Sequence, residues 1–245
     1  MNKILLGFIG IGLLTFVGCK KDEGNTSTNS NNTNSNNTNS TNTNSSIQYG
    51  NGATDADGNT YQSVIIGTQE WMVENLRTTK YSDGTAIPNV TINTDWGNLS
   101  TGAWCHYNND NQYDTIYGKL YNFHAVETGK LCPTGWHVPT DAEWAVLNDY
   151  LGANGHSGTE GTALKATSGW SGGNGTDDYG FLGLPGGYRS SNGYFSSIGG
   201  YGSWLSSSQS NTSNAWYRYL YSTNDNVNRD YYSKTFGFSV RCLRD

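Results

Sequence analysis

Cys132-Pro133-Thr134-Gly135-Trp136-His137-Val138-Pro139-Thr140-Asp141-Ala142-Glu143-Trp144 reads as a turn that delivers the chain into a helix. Thr140 stands at the N-cap, where its hydroxyl can accept the N–H three residues on. Glu143, at that third position, can reach back to the Thr140 N–H and complete a capping box. Asp141 and Glu143 also place negative charge at the positive end of the helix dipole. Trp144, Leu147 and Leu151 then recur at spacings of three and four, one apolar stripe. Gly152 follows as a left-handed stop. The spacing predicts a helix over 141–151. Most of the remaining chain reads as strand, turn or loop, so the stripe is expected to pack on a sheet, in an α+β fold.

Upstream, the chain changes character. Residues 1–18 set a basic residue, Lys3, before an apolar run from Ile4 to Val17, as a signal peptide does. The run is too short for a spanning helix. It ends in Phe16-Val17-Gly18-Cys19, which resembles a bacterial lipobox. Cys19 is therefore expected to become the acylated N-terminus of a membrane-anchored lipoprotein, with chains such as palmitate. The plainer alternative is a cleaved secretory peptide with an incidental cysteine. Lys20-Lys21-Asp22-Glu23 resembles the signal that sends some lipoproteins to the outer face of the outer membrane in Bacteroidota-type bacteria. A solvated spacer is the bland reading of the same four residues. Residues 25–46 are only Asn, Ser and Thr. With no apolar side chain to offset chain entropy, they are expected to be a disordered tether. The expected division is thus 1–18 signal peptide, 19–46 lipidated cysteine and tether, and 47–245 one globular domain.

Bulk properties narrow the function classes. A net charge of −6 without any basic block argues against nucleic acid as a partner. Aromatic residues, at 13%, are nearly as frequent as charged ones, at 14%. That balance suits an exported, loop-rich domain that uses rings in its core and on its surface. With Cys19 acylated, Cys105, Cys132 and Cys242 remain. Export permits a disulfide, and the three possible pairings each leave one thiol over.

Candidate sites are few. Asp55, Asp57 and Asn59 alternate as in a calcium loop, but the acidic ligand expected twelve residues in is missing, so Asp57-Gly58 reads as a hairpin turn. Trp71, Val73 and Leu76 are expected to face inward, and Glu74 and Asn75 to bond backbone. Asn108, Asp110, Gln112 and Asp114 also alternate and could offer oxygens to calcium. The central glycine of such a loop is absent, and a polar loop is preferred. His106, His124, His137 and His156 lack zinc spacing. Asp177 and Asp178 are neighbours, which project to opposite strand faces and make a poor acid–base pair. No nucleophile–base set stands out.

Several ordered motifs carry a family resemblance. They are Asp57-Gly58-Asn59-Thr60-Tyr61, Trp71-Met72-Val73-Glu74-Asn75-Leu76, Tyr117-Gly118-Lys119-Leu120-Tyr121-Asn122, Cys132 to Thr140, Gly180-Phe181 with Leu184 to Arg189, and Gly237-Phe238-Ser239-Val240-Arg241-Cys242. Together, over about 54–245, they resemble the Fibrobacter succinogenes major paralogous domain. More distantly, the helix start and the closing Gly-Phe-x-Val-Arg stretch are similar to the C-type-lectin-like fold shared with formylglycine-generating-type proteins. The resemblance implies small twisted antiparallel sheets, two helices (141–151 and one within 160–167), a long loop region and termini brought together. It also implies a Cys132–Cys242 disulfide, because lectin-like folds commonly tie the first-helix region to the last strand. The sugar-binding calcium triplets of lectins and the cysteine pair of the oxidases are missing, so neither activity is implied.

The expectation is a non-catalytic surface lipoprotein that binds a glycan or protein, with an enzyme or structural subunit of a surface-polymer complex as the alternatives. The resemblance places recognition in Ser190–Lys234. Tyr217, Tyr219 and Tyr221 share one face of a strand there, with Arg229, Tyr231 and Tyr232 after a turn. If instead the tyrosine face is core, Trp216, Arg218 and Leu220 point outward. Arg218 favours exposed tyrosines.

Overall fold

The computed structural model describes residues 47–245. The expectations for the signal peptide, Cys19 and the tether lie outside the described residues. In the domain, β1 (Ala53–Thr54) and β2 (Thr60–Tyr61) flank the Asp57-Gly58 turn, followed by β3 (Ser63–Ile66) and β4 (Gln69–Met72). The Asp55 carboxylate accepts the Asp57 and Asn59 N–H groups and the Tyr61 hydroxyl, so its oxygens organise the hairpin. A middle section follows with α1 (Asn93–Gly97), β5 (Trp104–Cys105), α2 (Asp114–Tyr117), β6 (Leu120–Tyr121), α3 (Phe123–Val126) and β7 (Trp136–His137). Then come α4 (Asp141–Leu151) and α5 (Glu160–Leu164). The last third holds β8 (Gly186–Arg189), β9 (Phe195–Ile198), β10 (Tyr201–Gln209), β11 (Asn214–Tyr221), β12 (Asn228–Ser233) and β13 (Leu243–Arg244).

Two sheets dominate this α+β fold. One has five strands in the order β12-β11-β10-β8-β9, the other four in the order β3-β4-β13-β7. Pairing is antiparallel apart from β10 against β8 in the first. Both ends of the described domain meet at the four-stranded sheet, where β13 pairs with β4 and Tyr49 bridges to Val64.

Helix α4 runs over the predicted residues, with both bonds of the Thr140–Glu143 capping box present. Its Trp144 packs 4.6 Å from Trp71 of β4 and 6.4 Å from Trp204 of β10, so one ring joins the two sheets. Gly152 is not the stop. It keeps a right-handed conformation, and the chain makes one wide turn through Gly152–His156 before Gly155, at φ 99°, reverses it. Both expected helices form, and α1, α2 and α3 add single turns that lacked a periodic signal.

The closing stretch from Phe236 to Arg244 is strand only at its end. Only Leu243–Arg244 joins a ladder. Gly237, Phe238 and Ser239 bridge singly to Arg189, Tyr121 and Trp204. Because this stretch crosses between neighbours in different sheets, no ladder can develop along it. Its far end is fixed by the Cys132–Cys242 disulfide. Cys105 is free and buried, and burial pushes its thiol up to about 12. Such a thiol carries almost no thiolate at neutral pH and is inert.

Candidate functional site

The five-stranded sheet has two unlike faces, and its register assigns every side chain to one of them. Tyr201 pairs with Tyr221, Ser203 with Tyr219, and Leu205 with Tyr217. Across the next ladder Tyr217 pairs with Asp230 and Tyr219 with Asn228. These residues share a face with Tyr232, the partner of Ala215. Trp204, Arg218 and Leu220 occupy the other face, together with Arg229 and Tyr231.

The tyrosine face carries a cleft of about 170 Å³. Each of the five strands contributes to it: Tyr188 from β8, Ser197 from β9, Tyr201 and Ser203 from β10, Tyr217 from β11 and Tyr232 from β12. Phe236 and Phe238 of the closing stretch complete the wall. The rings form a stacked series. Tyr217 lies parallel to Phe238 with centroids 4.6 Å apart, and Phe236 stacks on Tyr232 at 4.5 Å. Tyr201 stacks on Tyr221 at 4.4 Å beside the cleft. Offset stacking of this kind fixes the rings without needing a covering helix. Ser197 holds a left-handed backbone, φ 65°, and Gly187 on the adjoining strand does the same at φ 66°.

Burial governs the electrostatics here. It raises the Tyr217 phenol, and the neighbouring Tyr232 and the Asp230 carboxylate add to the shift. The Tyr219 phenol is likewise raised, first by burial and then by Asp230. The phenols are therefore neutral donors and acceptors at physiological pH.

The structure divides the predicted site. Tyr217 lines the cleft but is also core, only 6% exposed and packed on Phe238, whereas Tyr219 and Tyr221 are half-buried. Both sides of β11 are thus largely buried, which neither reading of its alternation anticipated. Arg218 faces inward, not out, because it has a partner: its Nη1 donates to Asp141 Oδ1 at 2.5 Å. Arg229 does not join the tyrosines. It lies on the opposite face, donates Nε and Nη2 to the same Asp141 carboxylate, and covers Trp216 with its guanidinium 3.3 Å from the ring centroid. Tyr231 follows it, and only Tyr232 reaches the cleft.

The other candidates are spent on local structure. Asp110 accepts the Gln112 N–H and side-chain amide, and Asp114 accepts from Lys119 Nζ at 2.7 Å with His106 Nδ1 3.4 Å away. Asn108 takes a left-handed turn conformation. Among the described residues, no three His, Cys, Asp or Glu side chains gather as a metal site would need. Asp177 accepts the Leu182 N–H, while Asp178 accepts from Thr176 and lies 3.8 Å from His156. His137 bonds Asp245 and Glu143, beside the helix cap. Asn75 bonds Tyr117 O, Trp204 Nε1 and Arg241, and Glu74 accepts the Gln62 N–H, so the pair holds backbone and core together.

Sequence reasoning did not single out Tyr188, Ser197, Tyr201, Ser203, Phe236 and Phe238 as cleft residues. Tyr201 had a signal, since it lies within the Ser190–Lys234 segment where the resemblance placed recognition. Phe236 and Phe238 had none, since their role depends on how the closing stretch crosses the sheet.

A sequence model of the Fibrobacter succinogenes major domain matches residues 64–244. The chain belongs to this family. The matched span of the Fibrobacter succinogenes major domain contains every residue of the cleft and both disulfide cysteines. No curated protein and no solved structure matches the chain.

Proposed function

We propose that this Fibrobacter succinogenes major domain is the non-catalytic binding module of an exported lipoprotein, with a C-type-lectin-like architecture, and that its aromatic cleft takes a glycan or protein ligand. The observation that carries the reading is the cleft itself. Six rings and two serine hydroxyls line a space left open on an otherwise well-packed sheet. Concave, ring-lined sites with a few polar groups are the usual form of a binding pocket. Asp177 and Asp178, the carboxylates weighed for catalysis, are turned to separate partners, which favours binding over hydrolysis.

The placement at the cell surface rests on the sequence. Cys19 carries the anchor, residues 25–46 form the tether, and the outer face of the outer membrane is the proposed location. Cys19→Ala should abolish lipid labelling and release the protein from membranes; unchanged labelling and fractionation would remove the anchor. Protease added to intact cells should cut within 25–46, and protection until lysis would place the domain in the periplasm. Screening 47–245 against glycan and protein panels tests binding, and release of products from a surface polymer would instead establish an enzyme.

A further inference from the structure

We infer that the cleft is the subsite for one neutral pyranose residue; this deepens, and rests on, the reading of the domain as a binding module. Size comes first. A cavity of about 150 Å³ accommodates one benzene, so the cleft's volume of about 170 Å³ suits one six-membered ring with its substituents. Pockets for larger organic ligands start near ~300 Å³.

Unused polar groups come second. Ser203 is 2% exposed and Tyr217 6% exposed, and both line the cleft. Neither side-chain hydroxyl has a hydrogen-bond partner among the described residues. Neither is spent within the protein, so each is free to bond water or a ligand in the cleft. Ser197 adds a third hydroxyl, 3.1 Å from that of Ser196, on a left-handed backbone that persists where surrounding structure enforces it. Rings beside unspent hydroxyls match a pyranose, whose C–H face is apolar and whose rim is hydroxyl.

Charge comes third. The cleft is lined only by Ser, Tyr and Phe side chains, with no carboxylate, amine or guanidinium, and Asp230 is the acidic neighbour acting on Tyr217 and Tyr219. An anionic sugar would lose hydration there without gaining a cation. A quaternary ammonium could use the rings and Asp230, but it would displace water from the cleft hydroxyls without bonding them.

The test titrates the full chain with methyl glycosides of neutral hexoses and N-acetylhexosamines, the matching uronates, and tetramethylammonium. A neutral glycoside should bind saturably, and its uronate at least about tenfold more weakly. Tyr217→Phe and Ser203→Ala should each weaken the neutral sugar about tenfold, the equivalent of ~1.4 kcal/mol, with unchanged melting temperatures. Tyr217→Phe keeps the stacked ring, so it isolates the hydroxyl even if Ser203→Ala disturbs folding. Uronate or ammonium binding as well as the neutral sugar, or sugar affinity untouched by both variants, would overturn the inference. So would the absence of saturable glycoside binding. A protein or polymer that binds wild type and both variants alike would overturn this subsite while leaving the binding module standing. If no ligand in any panel binds and polymer is cleaved, both readings fall.

Discussion

On one face of β10 and β11, Trp204, Leu220 and Arg218 lie beneath α4; on the other, Tyr201, Ser203, Tyr217 and Tyr219 face the cleft and its margin. The covered face is closed by Trp144, tilted against Trp204, and by Phe181, edge to face with both Trp204 and Trp71. Its polar groups are mostly paired. Trp204 Nε1 donates to Asn75, and Arg241, sealed in the core, donates to Asn75 Oδ1 and the Phe181 and Leu182 carbonyls. Trp144 Nε1 and Arg241 Nε are the exceptions. On the cleft face no long helix overlies the sheet: Phe236 and Phe238 of the closing stretch, clustered with Tyr121 and Phe123, cover part of it, and rings stack beside a space lined by the Tyr217 and Ser203 side chains. Identical alternation in one strand therefore serves packing on one side and, on the other, lines a cleft that we propose serves recognition. What separates them is the cover: α4 closes one face, whereas the closing stretch leaves a cleft on the other.

The largest effect should come from the element common to both faces. The stretch from Phe236 to Cys242 gives Phe236 and Phe238 to the cleft and Arg241 to the covered face. The disulfide that holds it spans 110 residues, a loop length for which chain entropy gives about 4–5 kcal/mol. Reduction, or Cys132→Ser, should shift the urea midpoint by that free energy. A small shift would mean that packing on the two faces holds the stretch unaided.

Tyr217 tests whether the cleft face is also structural. Tyr217→Ala removes a buried ring stacked on Phe238 and should cost about 3–4 kcal/mol. Tyr217→Phe removes only an unbonded hydroxyl and should leave stability within about 0.5 kcal/mol. Equal effects of the two variants in urea unfolding would show that the hydroxyl has a structural role and is not reserved for ligand.

How much of this was legible follows from the range of the interactions. Helix α4 was readable because cap, charge and stripe all fall within a dozen residues. The Asp57-Gly58 hairpin was readable for the same reason, since Asp55 bonds within six residues. The family resemblance supplied the disulfide, which no local pattern could choose among three pairings. The orientation of β11 was not readable. Arg218 looks like a solvent marker until its partner, Asp141, is known to sit 77 residues away at the start of α4. Arg229 looked like a companion of Tyr217 because the two are close in sequence, yet the register puts it opposite Arg218. A one-residue difference in register exchanges faces, and turn length alone does not fix it.

Asp141 carries a smaller test of the covered face. Its carboxylate neutralises buried Arg218 and exposed Arg229 at once. Burial raises its pKa, but the hydrogen bonds from Arg229 and Arg218 outweigh that and leave it lowered. A carboxylate lowered on folding contributes stability above the unfolded value, ~3.9, which disappears as pH falls through the folded one. Asp141→Asn should therefore cost about 2–3 kcal/mol at pH 7, chiefly by leaving Arg218 buried without its counter-ion. The penalty should shrink as pH drops below about 4, because wild type loses the same charge there. Urea unfolding at pH 7 and pH 3 measures both, and a penalty independent of pH would place the cost in packing instead.

Arg229 should give the smallest change and the sharpest separation of the faces. Its side chain is 45% exposed, so solvent screens its ion pair with Asp141. The contact with Trp216 adds the modest attraction of a cation over a half-buried ring near the surface. Arg218 still bonds Asp141 after its removal. Arg229→Ala should thus lower stability by about 1 kcal/mol or less. Its effect on ligand should be nil, because the guanidinium lies on the face away from the cleft. Sequence proximity predicts the opposite, that Arg229 and Tyr217 act on one ligand and that both losses weaken it. Measuring affinity for the same sugar with Arg229→Ala and Tyr217→Phe decides between them. Equal losses would mean that ligand wraps the β12 edge and touches both faces, and the division of labour across the sheet would not hold.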